Sequence, residues 1–451
     1  MKTSKLLANV LLCTLSAPAW AQAPDAQPVQ AEAPAAPATE QAAPPAPAPA
    51  DAPSEAAAPS PATEESIDLA ALGISDASGG SAQTAADSPL QFYGFADFGV
   101  MAPLYKKDSL WSGAYAPSYS SAAMGNLNLY LAKQLDTKWR ALTEVRFHYA
   151  PFQSYDDPAD SYRPAILGAM EIERAHIDYQ AHQWLNVRAG QWLTPYGIWN
   201  VDHGTPTLIA IRRPYSIGEQ LFPERQTGLL AFGGDYVGPV RLGYHFGVSN
   251  GRGPRDSVVD LDKNKAVTAR VDLAYGGSIG DVKLGFTFFR GKYTAAGAPK
   301  VDFATGKSQE MLTTVYDEQS VGADLQYDFK GFVLRSEFLY NERKFQDPYR
   351  PRNDSGLFAP NSSRWGAYGL AGYRIPVINL MPYFLVERYS FGQGQKYIPN
   401  AGIYYIGLNW QIVPSVVAKA EFIVVQFPGS DPLIDQAGKM RFLSTQLAWA
   451  F

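Results

Sequence analysis

From Leu90 onward, apolar and polar residues alternate over stretches of about ten to thirteen residues, the period-two pattern of a strand whose two faces meet different surroundings. Trp139, Ala141, Thr143, Val145, Phe147 and Tyr149 fall on one side of such a strand, and Arg140, Leu142, Glu144, Arg146 and His148 on the other. The same split separates Val267, Ala269, Val271, Leu273 and Tyr275 from Thr268, Arg270 and Asp272, and Val282, Leu284, Phe286 and Phe288 from Lys283 and Thr287. One face suits hydrocarbon and the other suits water.

The connections between these stretches alternate in length. Short turns are signalled at Asp136 to Lys138, His182-Gln183, Val237 to Pro239, Gly276 to Ser278, Asp328 to Gly331, Pro376 to Asn379 and Val413 to Ser415. Long polar segments lie near 102–122, 151–169, 195–226, 250–265, 291–314, 343–363, 391–400 and 427–438. Seven short turns and eight long loops imply about sixteen strands with both ends on the short-turn side, the arrangement of a bacterial transmembrane barrel. A soluble sandwich has no reason to sort its loops this way. The expected fold is all-β, a transmembrane antiparallel β-barrel over residues 89–451. Its last strand, with Leu443, Thr445, Leu447, Trp449 and Phe451 on one face, stops at an aromatic residue, as in the C-terminal assembly signal of bacterial outer-membrane proteins.

The N-terminal region differs in kind. Lys2 and Lys5, the apolar run Leu6 to Leu15, and Ala19-Trp20-Ala21 compose a secretory signal peptide over residues 1–21, and the one cysteine, Cys13, lies inside it. Residues 22–88 are rich in Pro and Ala and carry ten acidic groups with no Lys or Arg, a composition that cannot bury a core and reads as a disordered periplasmic segment. The whole-chain charge of −5 therefore misleads, because residues from Pro89 onward carry a net charge of about +3. Ser66 to Ser75 reads as a slightly apolar piece of linker or a short docking helix. Past the signal no apolar run reaches the ~18 residues a spanning helix needs, so any crossing is made by strands.

Several stretches resemble the phosphate-selective porin O/P family: GFADFG at 94–99, EIERAHIDYQ at 171–180, VRAGQWLTPYG at 187–197, FPERQTGLLAFGG at 222–234 and IGLNWQI at 406–412. The resemblance covers nearly all of residues 90–451 and none of the Pro/Ala-rich segment. It implies a sixteen-stranded, trimeric channel with a constricting loop and lumenal cationic side chains, and it does not identify the solute.

Read from the residues, the candidate pore-lining side chains are Arg140, Glu144, Arg146, His148, Arg174, His176, Arg188, Arg241, Arg270 and Arg335. Guanidinium groups offer forked donors suited to phosphate or carboxylate. On a lipid face each arginine would cost ~2–4 kcal/mol near the midplane, which argues for inward placement. Glu144, Asp178, Asp272 and Glu337 share those strands and faces, so pairing across the wall is the competing reading. The segment 194–226 holds Trp199, His203, Arg212, Arg213, Glu219 and Arg225; folded into the pore it would place Arg212, Arg213 and Arg225 in the permeation path, and as an external loop it would select nothing.

Other chemistry is weaker. Asp156, Asp157 and Asp160, and Asp260, Asp262 and Asn264, read as solvated acidic loops, since the second set has Lys265 where a calcium loop turns on Gly. The five histidines show no metal spacing, and no nucleophile elbow or phosphate loop appears, so neither a metal, a cofactor nor an enzyme activity is expected. The expectation is a passive diffusion channel in the bacterial outer membrane for small hydrophilic solutes, leaning to anions such as phosphate or carboxylates, assembled as a homotrimer in outer-membrane lipid and without nucleic-acid partners. The alternative is an outer-membrane binding module, adhesin or receptor, with a plugged barrel. Deleting residues 25–85 as a block, with the signal and its cleavage site kept, should leave assembly and channel conductance intact; loss of insertion on gels, or of conductance in planar bilayers, would make the segment part of the channel.

Overall fold

The computed structural model describes residues 89–104, 120–148, 170–218, 221–252, 260–296, 300–302, 307–309, 312–347, 349–350, 360–390, 392, 400–429 and 438–451. The signal peptide, the segment 22–88 and its Ser66 to Ser75 stretch, the Asp156 to Asp160 loop and Glu219 lie outside the described residues.

The alternating stretches form a closed antiparallel barrel. Its first half comprises β1 (Gln91–Pro103), β2 (Ser121–Gln134), β3 (Trp139–His148), β4 (Met170–His182), β5 (Leu185–Leu193), β6 (Arg225–Val237), β7 (Val240–Ser249), β8 (Ala266–Gly277) and β9 (Gly280–Ala296). A separate two-stranded ribbon, β10 (Lys300–Asp302) with β11 (Lys307–Gln309), follows. The wall resumes with β12 (Leu312–Phe329), β13 (Phe332–Phe345), β14 (Ser362–Tyr373), β15 (Leu380–Ser390), β16 (Asn400–Val413), β17 (Val416–Gln426) and β18 (Met440–Ala450). Each wall strand pairs with its neighbours in sequence, except that β9 pairs with β12 across the ribbon. β1 pairs with β18, Phe95 opposite Ala450, so no edge is left open. Gly94 and Phe451 exchange both backbone hydrogen bonds at the seam, at 2.9 and 3.0 Å.

All seven short turns join strands at one end and the long loops at the other. Five turns begin later than the sequence signals: His182 still belongs to β4, Val237 to β6, Gly276-Gly277 to β8, Asp328 to β12 and Val413 to β16. At the turn joining β12 and β13, Lys330 and Gly331 both have positive φ, 48° and 82°, the conformation whose twist matches a hairpin. The expected long segment 291–314 is instead mostly strand, because pairing of β9 with β12 runs on to Ala296 opposite Leu312, with the Tyr293 and Tyr316 rings stacked at 4.7 Å.

Burial follows the period-two pattern. Outward positions such as Ile172, Phe246, Phe286, Phe338, Ile406, Trp410 and Leu447 are exposed apolar side chains, a surface matched to hydrocarbon. The inward faces are not uniform. Inward from β13 to β18, residues such as Leu339, Tyr368, Tyr383, Leu385, Tyr405, Ile423 and Phe442 form a buried apolar cluster with a few acids and amides set into it, whereas β2 to β8 carry the buried arginines Arg174, Arg188 and Arg270. On that first-half interior Arg140 lies opposite Asp178 and Arg241 shares the inward parity of His245. A charge at an outward position tests the face assignment. Phe286→Arg, in the middle of β9 and 55% exposed, should cost ~2–4 kcal/mol and deplete the heat-modifiable folded band, whereas Phe286→Leu should assemble normally.

Candidate functional site

The connection between β5 and β6, residues 194–224, does not stay outside. It runs through the barrel interior, with polar contacts to β3, β9, β12, β13, β15, β16 and β17 among others. Thr287 Oγ1 on β9 donates to Pro195 O at 3.2 Å, the Trp199 N–H donates to Glu337 Oε1 on β13 at 3.1 Å, and His203 Nε2 lies 2.9 Å from Glu144 Oε1 on β3. Lys419 Nζ on β17 donates to Thr205 O at 2.6 Å and to Ala210 O at 3.3 Å, and Asn409 Nδ2 on β16 donates to Ile209 O at 2.9 Å. The Ile211 N–H donates to Glu421 Oε1 on β17 at 2.7 Å, the Ser216 N–H in the single helical turn α1 (Tyr215–Gly218) donates to Glu387 Oε1 on β15 at 2.7 Å, and Ser320 Oγ on β12 donates to Leu221 O at 2.6 Å.

The apolar side chains of the same loop complete its attachment. Tyr196, Trp199, Leu208, Ala210, Ile217, Leu221 and Phe222 pack into the cluster on the inner wall of β13 to β18, with the Tyr196 and Phe222 rings stacked at 4.6 Å. Three carboxylates recur on every second strand, Glu337, Glu387 and Glu421, each accepting a loop backbone N–H. Tyr368 and Tyr383 hydroxyls donate to Glu337 and Glu421 at 2.7 and 2.6 Å, which satisfies further lone pairs of these buried carboxylates.

With the loop held on that side, a cavity with about 570 Å³ of empty space, part of it continuous with solvent, remains against the opposite wall. It is lined by Asn126, Arg146, Glu173 and Leu193 from the wall, and by Trp199, Asn200, His203, Thr205, Leu208, Ile211, Arg213 and Glu224 from the loop. Its charges form one chain. Arg146 donates to Asn126 Oδ1 at 2.9 Å and to Glu173 Oε1 at 3.0 Å; Arg225 donates to Glu173 Oε2 at 2.8 Å and to Glu171; Arg213 pairs with Glu224 at 2.7 Å, and Arg225 approaches the same carboxylate at 3.6 Å. Burial alone would raise the Glu224 carboxyl, but the Arg213 and Arg225 guanidiniums outweigh it and hold it below the usual carboxylate range.

The candidate residues thus divide. Arg146, Arg213 and Arg225 meet in one network at the cavity. Glu144 is fully buried and binds Asn128 at 2.6 Å and Arg174 at 2.7 Å, beside His203. Arg188 grips Asp178 through two bonds of 2.8 and 2.9 Å, with His176 Nδ1 3.1 Å from the same carboxylate. Arg270 spans Asp324 and Asp272 at 2.7 and 2.6 Å, and Arg335 sits on Asp328 at 3.0 Å near the short-turn end. Arg212 is not among the cavity-lining residues: its guanidinium lies 5.9 Å from the Phe442 ring on the far wall. Arg140 and Arg241 share the inward parity without joining the cavity lining, and the His148 side chain lies outside the described residues. Lys265 pairs with Asp260 in the second acidic loop.

Glu171 and Glu173 were missed because strict alternation puts them outward. A bulge in β4 breaks the alternation: Glu144 pairs with Arg174 and Val145 with Ile172, so Glu173 and Arg174 are consecutive and both buried. Glu387 and Asn409 carried a weaker signal, one polar residue on an inward face that is mostly aromatic or aliphatic, and Lys419 and Glu421 a neighbouring pair on such a face.

Among solved structures, the barrel is similar to an anion-selective porin from Comamonas acidovorans, at 11% identity over 81% of this chain and 100% of that one, with a TM-score of 0.50. It is equally similar to OprB of Pseudomonas putida, at 10% identity over 80% of this chain and 94% of that one, also with a TM-score of 0.50. What is shared is the fold. No family model and no curated protein matches the sequence. The likeness to the phosphate-selective porin O/P family therefore rests on the short stretches themselves.

The anchoring bonds make a direct prediction. Glu421→Leu removes the acceptor of the Ile211 N–H and of the Tyr383 hydroxyl, which should weaken the loop locally by about 1–3 kcal/mol and speed hydrogen exchange at Ile211 by roughly 5- to 150-fold. Glu421→Gln, which keeps one carbonyl acceptor, should do so less. Unchanged exchange in both would mean that apolar packing alone holds the loop.

Proposed function

We propose that the chain is a porin of the bacterial outer membrane, a passive channel for small hydrophilic solutes with a preference for anions, acting as a homotrimer. In this reading the loop 194–224 is the constriction, and Arg140, Glu144, Arg146, His148, Arg174, His176, Arg188, Arg241, Arg270 and Arg335 line the lumen. Transport needs no covalent step: pore width and field select.

The observation that carries the reading is the exposure of charge at the cavity. The side chains of Arg213 and Arg146 are 35% and 24% exposed, while their partners Glu224 and Glu173 are 18% and 4% exposed. The network balances in formal charge, but in these two pairs the arginine is the more exposed partner, while Arg225 and Glu171 are about equally exposed. In a narrow opening with low-dielectric walls the nearer sign dominates the field a solute meets. Most of the remaining inward arginines are paired with acids, so they contribute wall structure and a weaker field.

Reversal potentials in a potassium chloride gradient across planar bilayers test this. Wild-type channels should favour chloride, and the preference should fade as salt shortens the screening length from ~10 Å at 0.1 M to ~3 Å at 1 M. Arg146→Gln with Arg213→Gln should move the potential towards cation permeation with assembly intact. A cation-selective wild type would overturn the anion preference, and absence of any conductance would favour a plugged binding module.

A further inference from the structure

The cavity is not lined as an inorganic anion would require. Beside Arg146 and Arg213 stand Leu193, Trp199, Leu208 and Ile211. A chloride or phosphate ion gains nothing from an indole or an isobutyl group and loses hydration beside them. Three of these four side chains come from the same loop as Arg213, so the apolar surface and a cation are carried on one element that is itself fixed to the wall by Glu337, Lys419 and Glu421. Trp199 and Leu208 also belong to the packed cluster, which holds the apolar surface in place when the cavity is empty.

We infer that the preferred solute is an amphipathic organic anion, a carboxylate with an apolar body of several carbons, whose carboxylate meets Arg146 and Arg213 while its hydrocarbon part lies against Trp199, Leu208 and Ile211. The inference rests on the anion preference proposed above and names the solute class for the same site. A fully hydrated ion would pass the same opening with little residence.

The probe is the series acetate, butanoate, hexanoate, added to the full-length channel in planar bilayers at pH 7 in 0.1 M potassium chloride, with block of the chloride current as the readout. Each added methylene should strengthen block roughly two- to fourfold, as expected when apolar area leaves water. Hexylammonium at the same concentration should block far less than hexanoate. Trp199→Ala, and separately Ile211→Ser in case the first loosens the loop, should reduce the ratio of hexanoate to acetate block at least threefold. Equal block by all three acids, or by hexylammonium and hexanoate, would overturn the inference. If the series is flat in a channel that still favours chloride, only the solute class is wrong; if the channel shows no anion preference, the underlying reading fails with it.

Discussion

A backbone segment that enters a closed barrel brings polar groups into a space already walled by side chains, and each buried N–H must find an acceptor. Here Glu337, Glu387 and Glu421 meet that need. They stand on β13, β15 and β17, one strand apart each time, and take the amides of Trp199, Ser216 and Ile211. Lys419 and Asn409 do the same for carbonyls. The position of every loop residue at the cavity, and so the width and charge of the opening, follows from these few bonds and the aromatic packing beneath them.

Charge inside the barrel obeys a related constraint. Removing one member of a buried ion pair typically costs 3–5 kcal/mol, so an interior arginine is seldom left without an acid. Arg174 with Glu144, Arg188 with Asp178 and Arg270 with Asp324 follow this rule. Any charge preference of the opening would then rest on uneven exposure within pairs, and Arg213 with Glu224 and Arg146 with Glu173 are two pairs that show it.

The barrel was legible because alternation and loop length are strong, repeated signals that survive local errors; a turn misplaced by a residue or two at His182 or Gly276 changes no strand. The interior was only half legible. Parity groups Arg146, Arg174 and Arg270 with the acids they pair with, but it failed beyond the bulge at Glu173, because a single extra residue reverses the face of everything preceding it. Nor could parity distinguish Arg212 from Arg213, neighbours that part to opposite sides of an irregular loop. Of the carboxylates that anchor the loop, Glu387 looks in its own strand like an isolated polar residue, Glu337 and Glu421 share a face with Arg335 and Lys419, and their partners lie 138 to 210 positions away.

Those long separations bear on how the molecule folds. Trp199 and Ile211 can meet their acceptors only once β13 and β17 exist, yet the seam between β1 and β18 shuts the wall around the same space. Contacts so distant in sequence carry a large loop-closure entropy and form late. The loop therefore gains its last anchors only when the second half of the wall is in place, and a barrel interrupted before β17 would offer it neither Lys419 nor Glu421.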